Sequence, residues 1–203
     1  MPINLAIVYY SSTGFSGRIA QEISDTAEKV GAAVRLRKVA ELAPEAAIAS
    51  NPAWAAHAAE TGHILTATPA DLDWADAVIF GTPTRFGNVA SQLKQFLDTL
   101  GGMWAQGKLA DKVYSGFVTT STNHGGQEST LLALYHSIHH FGGILVAPGY
   151  TDPVKFVDGN PYGTSHIDAQ GANPIGDGTL DAARHQAERV VKITSALKAG
   201  STR

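Results

Sequence analysis

Three short segments hold most of the residues that could do chemistry. Tyr10-Ser11-Ser12-Thr13-Gly14-Phe15-Ser16-Gly17 puts four hydroxyls within six positions, just ahead of a helical pattern. Hydroxyls, free backbone N–H groups and the positive end of a helix together make a phosphate cradle. The segment lacks G-x-x-x-x-G-K-[ST] and G-x-G-x-x-G, so it suits a monophosphate better than a nucleotide tri- or diphosphate. An ordinary Ser/Thr-rich cap is the plain alternative. Thr82-Pro83-Thr84-Arg85-Phe86-Gly87-Asn88 offers amides, a hydroxyl, a guanidinium and an aromatic, which suit a flat heteroaromatic ring with carbonyls at its rim. Its plain alternative is a proline turn capping the next helix through Asn88. Thr119-Thr120-Ser121-Thr122-Asn123-His124-Gly125-Gly126-Gln127-Glu128 is small and polar enough for backbone to approach a ligand closely, or for a solvated loop.

Other patterns carry less. Gly102 to Lys108 matches most of a phosphate-loop pattern by spacing, but it follows a helix and Leu109 stands where Ser or Thr is required. His136, His139 and His140 share a helix face at zinc-binding spacing, with no H-E-x-x-H and no evident carboxylate, so no metal site is expected. Trp104 reads as a core or interface aromatic that could also wall a planar-ligand pocket.

The elements that must position these segments follow from apolar patterning. Residues 3–9 form a nearly continuous apolar run, as a strand buried on both faces would. Helical spacing runs from Gly17 to Gly31, and Val34, Leu36 and Val39 suggest a second strand. Residues 41–69 read as broken helix. Strands are expected at 77–81, 113–119 and 144–147, with helices over 89–100, 128–141 and 180–197. Between Gly149 and Gly178 lies a Gly/Pro-rich insert without periodicity, too long for an ordinary connection. The alternation predicts an α/β fold, a doubly wound parallel sheet with helices on both faces, in one domain over 1–203. In such a sheet a ligand sits beyond the carboxyl ends of the strands, where all three segments fall.

Composition narrows the function. The 203 residues contain no cysteine, which removes a thiol nucleophile, Cys-ligated metals and disulfides, so any redox chemistry needs a borrowed cofactor. A net charge of -3 without a basic stripe argues against nucleic acid and anionic membrane, and no apolar run approaches the ~20 residues of a membrane helix. The start of the chain lacks the marks of a secretory signal, so a cytoplasmic location is expected.

With those segments in view, the chain resembles the WrbA family of flavodoxin-like, FMN-dependent NAD(P)H:quinone oxidoreductases. The resemblance covers essentially the whole chain. It rests on Tyr9-Tyr10-Ser11, Gly81 to Asn88, Gly101-Gly102-Met103-Trp104, His124 to Glu128 and Asn160-Pro161-Tyr162-Gly163. It implies a flavodoxin-like sheet of five strands in the order 2-1-3-4-5, with a long insert before the last helix. It further implies that Ser11, Ser12, Thr13, Gly14, Phe15 and Ser16 hold the FMN phosphate. Thr84, Arg85 and Phe86 would line the isoalloxazine, with Pro83 and Gly87 beside them also binding the cofactor, and Thr119, Thr120, Ser121, Thr122, Asn123, Gly125 and Gly126 would wrap its pyrimidine end. His140 matches the family histidine at the flavin, as cofactor-binding and catalytic residue, and Trp104 the tryptophan flanking the substrate. Relatives often have Met-Tyr-Gly-His after the first serine; this chain has Ser12-Thr13-Gly14-Phe15, so Thr13 takes the place of a tyrosine linked to nicotinamide binding. NADH or NADPH would be co-substrate, a quinone the acceptor, and a homotetramer (dimer of dimers) the assembly. The competing class is a non-catalytic flavodoxin-type electron carrier, which the modest acidity and the long insert disfavour.

Overall fold

The computed structural model describes residues 2–200; Met1 and residues 201–203, the ends of the expected domain, lie outside the described residues. In chain order the elements are β1 (Asn4–Tyr9), α1 (Phe15–Lys29), β2 (Ala33–Lys38), α2 (Glu45–Ala49), α3 (Pro52–Glu60), α4 (Pro69–Trp74), β3 (Ala77–Arg85), β4 (Asn88–Val89), α5 (Ser91–Asp98), α6 (Gly101–Ala105), β5 (Val113–Thr120), α7 (Gln127–Phe141), β6 (Ile144–Leu145), α8 (Val154–Asp158), β7 (Thr164–Ile167) and α9 (Asp177–Gly200). The broken-helix reading of 41–69 corresponds to α2 and α3, and α4 begins at its last residue.

Continuous apolar runs became central parallel strands because both of their faces are covered. Ile7 and Ile79 pack with Ile19 and Ile23 of α1 and Ala187 and Val190 of α9. Val8 and Phe80 point the other way, into Leu93 of α5 and Leu131, Leu134 and Ile138 of α7. The alternation of the pleat sends successive side chains to opposite layers, and both layers are apolar. Gly81 is required between them: a Cβ there would lie 2.0 Å from the Phe117 ring.

The sheet runs β2-β1-β3-β5-β6, parallel throughout this path. Setting aside the two-residue β4, which only folds back on β3, this is the expected doubly wound order. Two expectations need correction. The sheet has seven strands among the described residues, and its last position is not one strand over 144–147 but two. β6 pairs with the start of β5 at Val113 and Tyr114, and β7, from inside the insert, pairs with its end from Phe117 to Thr120.

The gap between β6 and β7 leaves backbone groups of β5 without a strand partner. Gln186 of α9 fills that role. Its Nε2 donates to Ser115 Oγ (2.8 Å) and the Gly116 carbonyl (2.7 Å), while its Oε1 accepts from the Thr164 N–H (2.9 Å). A buried backbone group left unpaired is costly, so one side chain here substitutes for ladder bonds. Gly163 permits the crossing, because a Cβ there would lie 2.1 Å from the Gly116 oxygen.

The insert is therefore ordered by tertiary contacts. Lys155 and Asp158 form an ion pair with fully buried side chains. Asp158 also accepts from the Ser165 N–H (3.2 Å), which ties α8 to β7. No helix among the described residues is long and apolar enough to cross a membrane.

Candidate active site

The loops leaving β1, β3 and β5 meet at the carboxyl edge of the sheet. In the first, Ser11 Oγ accepts from the Gly14 N–H (3.1 Å), and Gly14 caps α1 at φ 98°, in the left-handed region. The first N–H groups of this 15-residue helix have no intrahelical partners, and its opening residues Phe15 and Ser16 line the cleft bordered by the three loops. Ser16 shares a buried hydrogen bond with Thr119 (2.9 Å between hydroxyl oxygens), binding the first loop to the end of β5. Phe15 stacks on His166 of β7 with centroids 5.6 Å apart.

The second loop extends β3 past the core. Thr84 shares a hydrogen bond with Thr130 of α7 (2.8 Å) and accepts from the Gly87 N–H (3.2 Å). Asn88 does not cap the next helix: it pairs with Arg85 in the β3–β4 hairpin, and Thr82 Oγ1 accepts from the Ala90 N–H at the start of α5. Phe86 (φ 53°) and Gly87 (φ 78°) make the hairpin turn with both residues left-handed. For phenylalanine this conformation is costly, about 1–3 kcal/mol, and strain of this kind concentrates at functional sites. Its ring is wholly exposed.

In the third loop, Gln127 donates from Nε2 to the carbonyls of Thr122 (3.2 Å) and Asn123 (3.1 Å). Glycine is needed at 126, where φ is 97° and a Cβ would lie 2.9 Å from Gly87 Cα. Loops two and three thus interlock.

Together they border a cleft of about 610 Å³, within the ~300–1,000 Å³ range of small-molecule sites. Ser11, Ser12, Thr13, Phe15 and Ser16 line it from the first loop, Pro83, Thr84 and Arg85 from the second, and Thr119, Thr120 and Ser121 from the third. Arg85 and Asp168 are the charged residues of this lining. The first-loop side of this lining is neutral, made of hydroxyls and N–H groups. Such a set fits FMN: the first loop offers donors for a phosphate, and the other two offer strand ends with a guanidinium for a ring carrying carbonyls.

Comparison with known proteins agrees with this arrangement. Residues 5–152 match the family described as NADPH-dependent FMN reductase. The chain is 46% identical to an NAD(P)H dehydrogenase (quinone) of Deinococcus radiodurans, over 97% of this chain and 98% of that one. This chain belongs to the NADPH-dependent FMN reductase family. A second member, an NAD(P)H dehydrogenase (quinone) of Trichlorobacter lovleyi, is 40% identical over 96% of this chain and 98% of its own. Among solved structures, the flavodoxin, WrbA-like protein from Agrobacterium tumefaciens superposes with a TM-score of 0.69 at 26% identity, covering 96% of this chain and 98% of that chain. Flavodoxin 1 from Bacillus cereus shares the fold alone, with a TM-score of 0.61 at 13% identity, covering 93% and 97%.

Within this reductase several expected residues stand apart from the cleft. Gly14 shapes the first loop without lining the cavity, and Phe86, Gly87, Thr122, Asn123, Gly125 and Gly126 build the rims of the other two. His140 is exposed near the end of α7, and Trp104, 56% exposed on α6, donates from Nε1 to the His140 carbonyl (2.8 Å). They form a unit with each other, outside the cavity of this chain. Tyr9 and Tyr10 are core residues. Burial pushes the Tyr9 hydroxyl up to about 12, and the Tyr10 hydroxyl higher still, where the Glu41 carboxylate adds to the effect.

Sequence reasoning missed five lining residues. Asn51 and Ala53 come from the start of α3, and Asp168, Gln170 and Gly171 from the turn after β7. The insert's turn does carry a backbone signal: Ala169 (φ 48°) and Gln170 (φ 59°) are both left-handed. Asp168 anchors that turn, donating from N–H to the Thr120 carbonyl (2.8 Å) and accepting from the Gln170 N–H (2.8 Å).

Proposed function

We propose that the chain, one flavodoxin-like domain over 1–203, catalyses the FMN-dependent two-electron reduction of quinones by NADH or NADPH. The observation that carries this is the convergence of the three loops on one cleft in a chain of this family. Bound FMN would supply the hydride relay between nicotinamide and quinone. The protein's share is position and electrostatics. Ser11, Ser12, Thr13 and Ser16, with the N–H groups opening α1 behind Gly14 and Phe15, hold the phosphate. Pro83, Thr84, Arg85, Phe86 and Gly87 border the ring, and residues 119–123 with Gly125 and Gly126 enclose its pyrimidine end. Arg85 sets a fixed positive charge at the cleft, with guanidinium donors beyond the one bonded to the Thr84 carbonyl, where negative charge would be stabilised.

Trp104 and His140 enter the same proposal across subunits. Both are exposed, they are joined to each other, and neither lines its own chain's cavity, which suits a homotetramer (dimer of dimers) whose neighbours complete each site. Trp104 then flanks the substrate, Thr13 meets the nicotinamide, and His140 serves the flavin edge as catalytic residue. Light scattering giving a monomer with and without FMN would overturn that assembly. A cytoplasmic setting, where reduced nicotinamides are at hand, completes the reading.

One anaerobic experiment tests the activity. FMN-loaded protein titrated with NADH or NADPH should bleach in the visible, and added benzoquinone should restore the colour. Failure of both nicotinamides to bleach it would favour the electron carrier. Bleaching without recovery on benzoquinone would overturn the quinone assignment.

A further inference from the structure

In sequence, residues 50–60 resemble filler, with five alanines and one proline. In the fold they stand against the first loop. The half-buried His57 ring packs on the glycines of that loop: a Cβ on Gly14 would meet its Nδ1 at 3.5 Å, and a Cβ on Gly17 would meet its Cε1 at 3.0 Å. This contact sets α3 against the start of α1, and Asn51 at the head of α3 lines the same cleft as Ser11, Ser12 and Ser16.

The orientation of the Asn51 amide is settled by its hydrogen bonds. Its Oδ1 accepts from the N–H groups of Ala53 (3.1 Å) and Trp54 (3.2 Å), capping α3. Both partners are donors, so the atom they meet is the oxygen, and the Nδ2 donors are left over from the cap. The cap accounts for half of this side chain. The remaining half is a neutral donor on a wall, Asn51 and Ala53, that carries no charge of its own, since Arg85 and Asp168, the charged lining residues, belong to other segments.

We propose that Asn51 is a specificity-determining residue of the flavin site, whose side-chain amide donates a hydrogen bond to the phosphate of FMN and so separates FMN from unphosphorylated flavin. The inference rests on the FMN reading above and adds α3 to a cradle otherwise built from the first loop. With neutral donors carrying the phosphate, replacing one of them by a negative charge has a large effect.

The test exploits the two halves of the side chain. Asn51→Asp keeps an acceptor for the Ala53 and Trp54 N–H groups, and aspartate caps helices as well as asparagine does. It exchanges the Nδ2 donor for a negative charge. Apo-protein of wild type and variant is titrated with FMN and with riboflavin, each followed by quenching of flavin fluorescence. FMN should bind Asn51→Asp about tenfold or more weakly, while riboflavin affinity and the thermal midpoint of the apo-protein stay close to wild type. Asn51→Ala, which loses cap and donor together, should weaken FMN binding and lower the midpoint. Equal FMN affinity in wild type and Asn51→Asp overturns the proposal, as does a parallel loss for FMN and riboflavin, which marks a structural role. A wild-type protein that binds no FMN overturns the function itself, a result distinct from either.

Discussion

Ser16 and Thr119 lie 103 positions apart and share one buried hydrogen bond, so the first loop is fixed by a pair that is invisible in either segment alone. Ser16→Ala leaves the Thr119 hydroxyl buried without that partner, which costs about 1–3 kcal/mol. For a domain of this size each kcal/mol lowers the thermal midpoint by about 2–4 °C. A midpoint that does not move would show the pair contributes nothing. His57 gives a pH dependence at the same scale. Burial, with help from Lys38 and against Glu60, holds its imidazole below the ordinary value. The unfolded chain, with histidine near 6.5, then binds more protons than the folded one over the interval between the two values, so stability falls as pH drops through about 6.5. Denaturant midpoints at pH 7.5 and 5.5 should differ less in His57→Gln than in wild type; equal differences would refute the assignment. Hydroxyl-rich loops announce themselves by residue type, which is why most of the cleft was legible. Asn51, Asp168 and Gln170 are turn-type residues in turn-type sequence, and only packing brings them to a ligand.

Elements were legible where each carried its own apolar signal. β1, β3 and β5 read as buried strands because both faces meet helices, and α1, α7 and α9 read as helices from their spacing. The insert was opaque because its order is borrowed. β7, Thr-Ser-His-Ile, has no apolar run, and α8 is five residues long. Gln186 and the Lys155–Asp158 pair hold them, through contacts far apart in sequence or hidden inside a charged motif that would ordinarily be read as surface. Breaking that pair from one side strands a buried charge. Asp158→Ala should therefore lose about 3–5 kcal/mol, whereas Lys155→Met combined with Asp158→Leu should recover most of it. Denaturant midpoints measure both, and a double variant no better than the single would refute the ion-pair account. FMN affinity should fall in Asp158→Ala as well, because the turn with Asp168 and Gln170 hangs directly from β7.

At the scale of the molecule, the cleft is assembled from five segments between residues 11 and 171, each carried by a different element. No two of them are held together by local sequence, so a ligand touching all five ties the order of the loops to the stability of the whole sheet. The absence of cysteine sets the terms: redox work requires a borrowed group, and the cleft offers it neutral donors, one guanidinium and one carboxylate. Binding to the folded state alone adds stability by mass action, about 2.7 kcal/mol when free ligand is a hundredfold above its dissociation constant. At about 2–4 °C per kcal/mol, FMN at that excess should raise the thermal midpoint of the apo-protein by about 5–10 °C. Riboflavin at the same concentration should raise it less if the first loop and Asn51 hold the phosphate as proposed, because riboflavin lacks that group. In Asp158→Ala, where the wall after β7 is loosened, the FMN shift should shrink even after the lower starting midpoint is taken into account. Equal shifts from FMN and riboflavin would mean that the hydroxyl cradle does not meet the phosphate. An undiminished shift in Asp158→Ala would mean that the insert borders the cleft without contributing to binding.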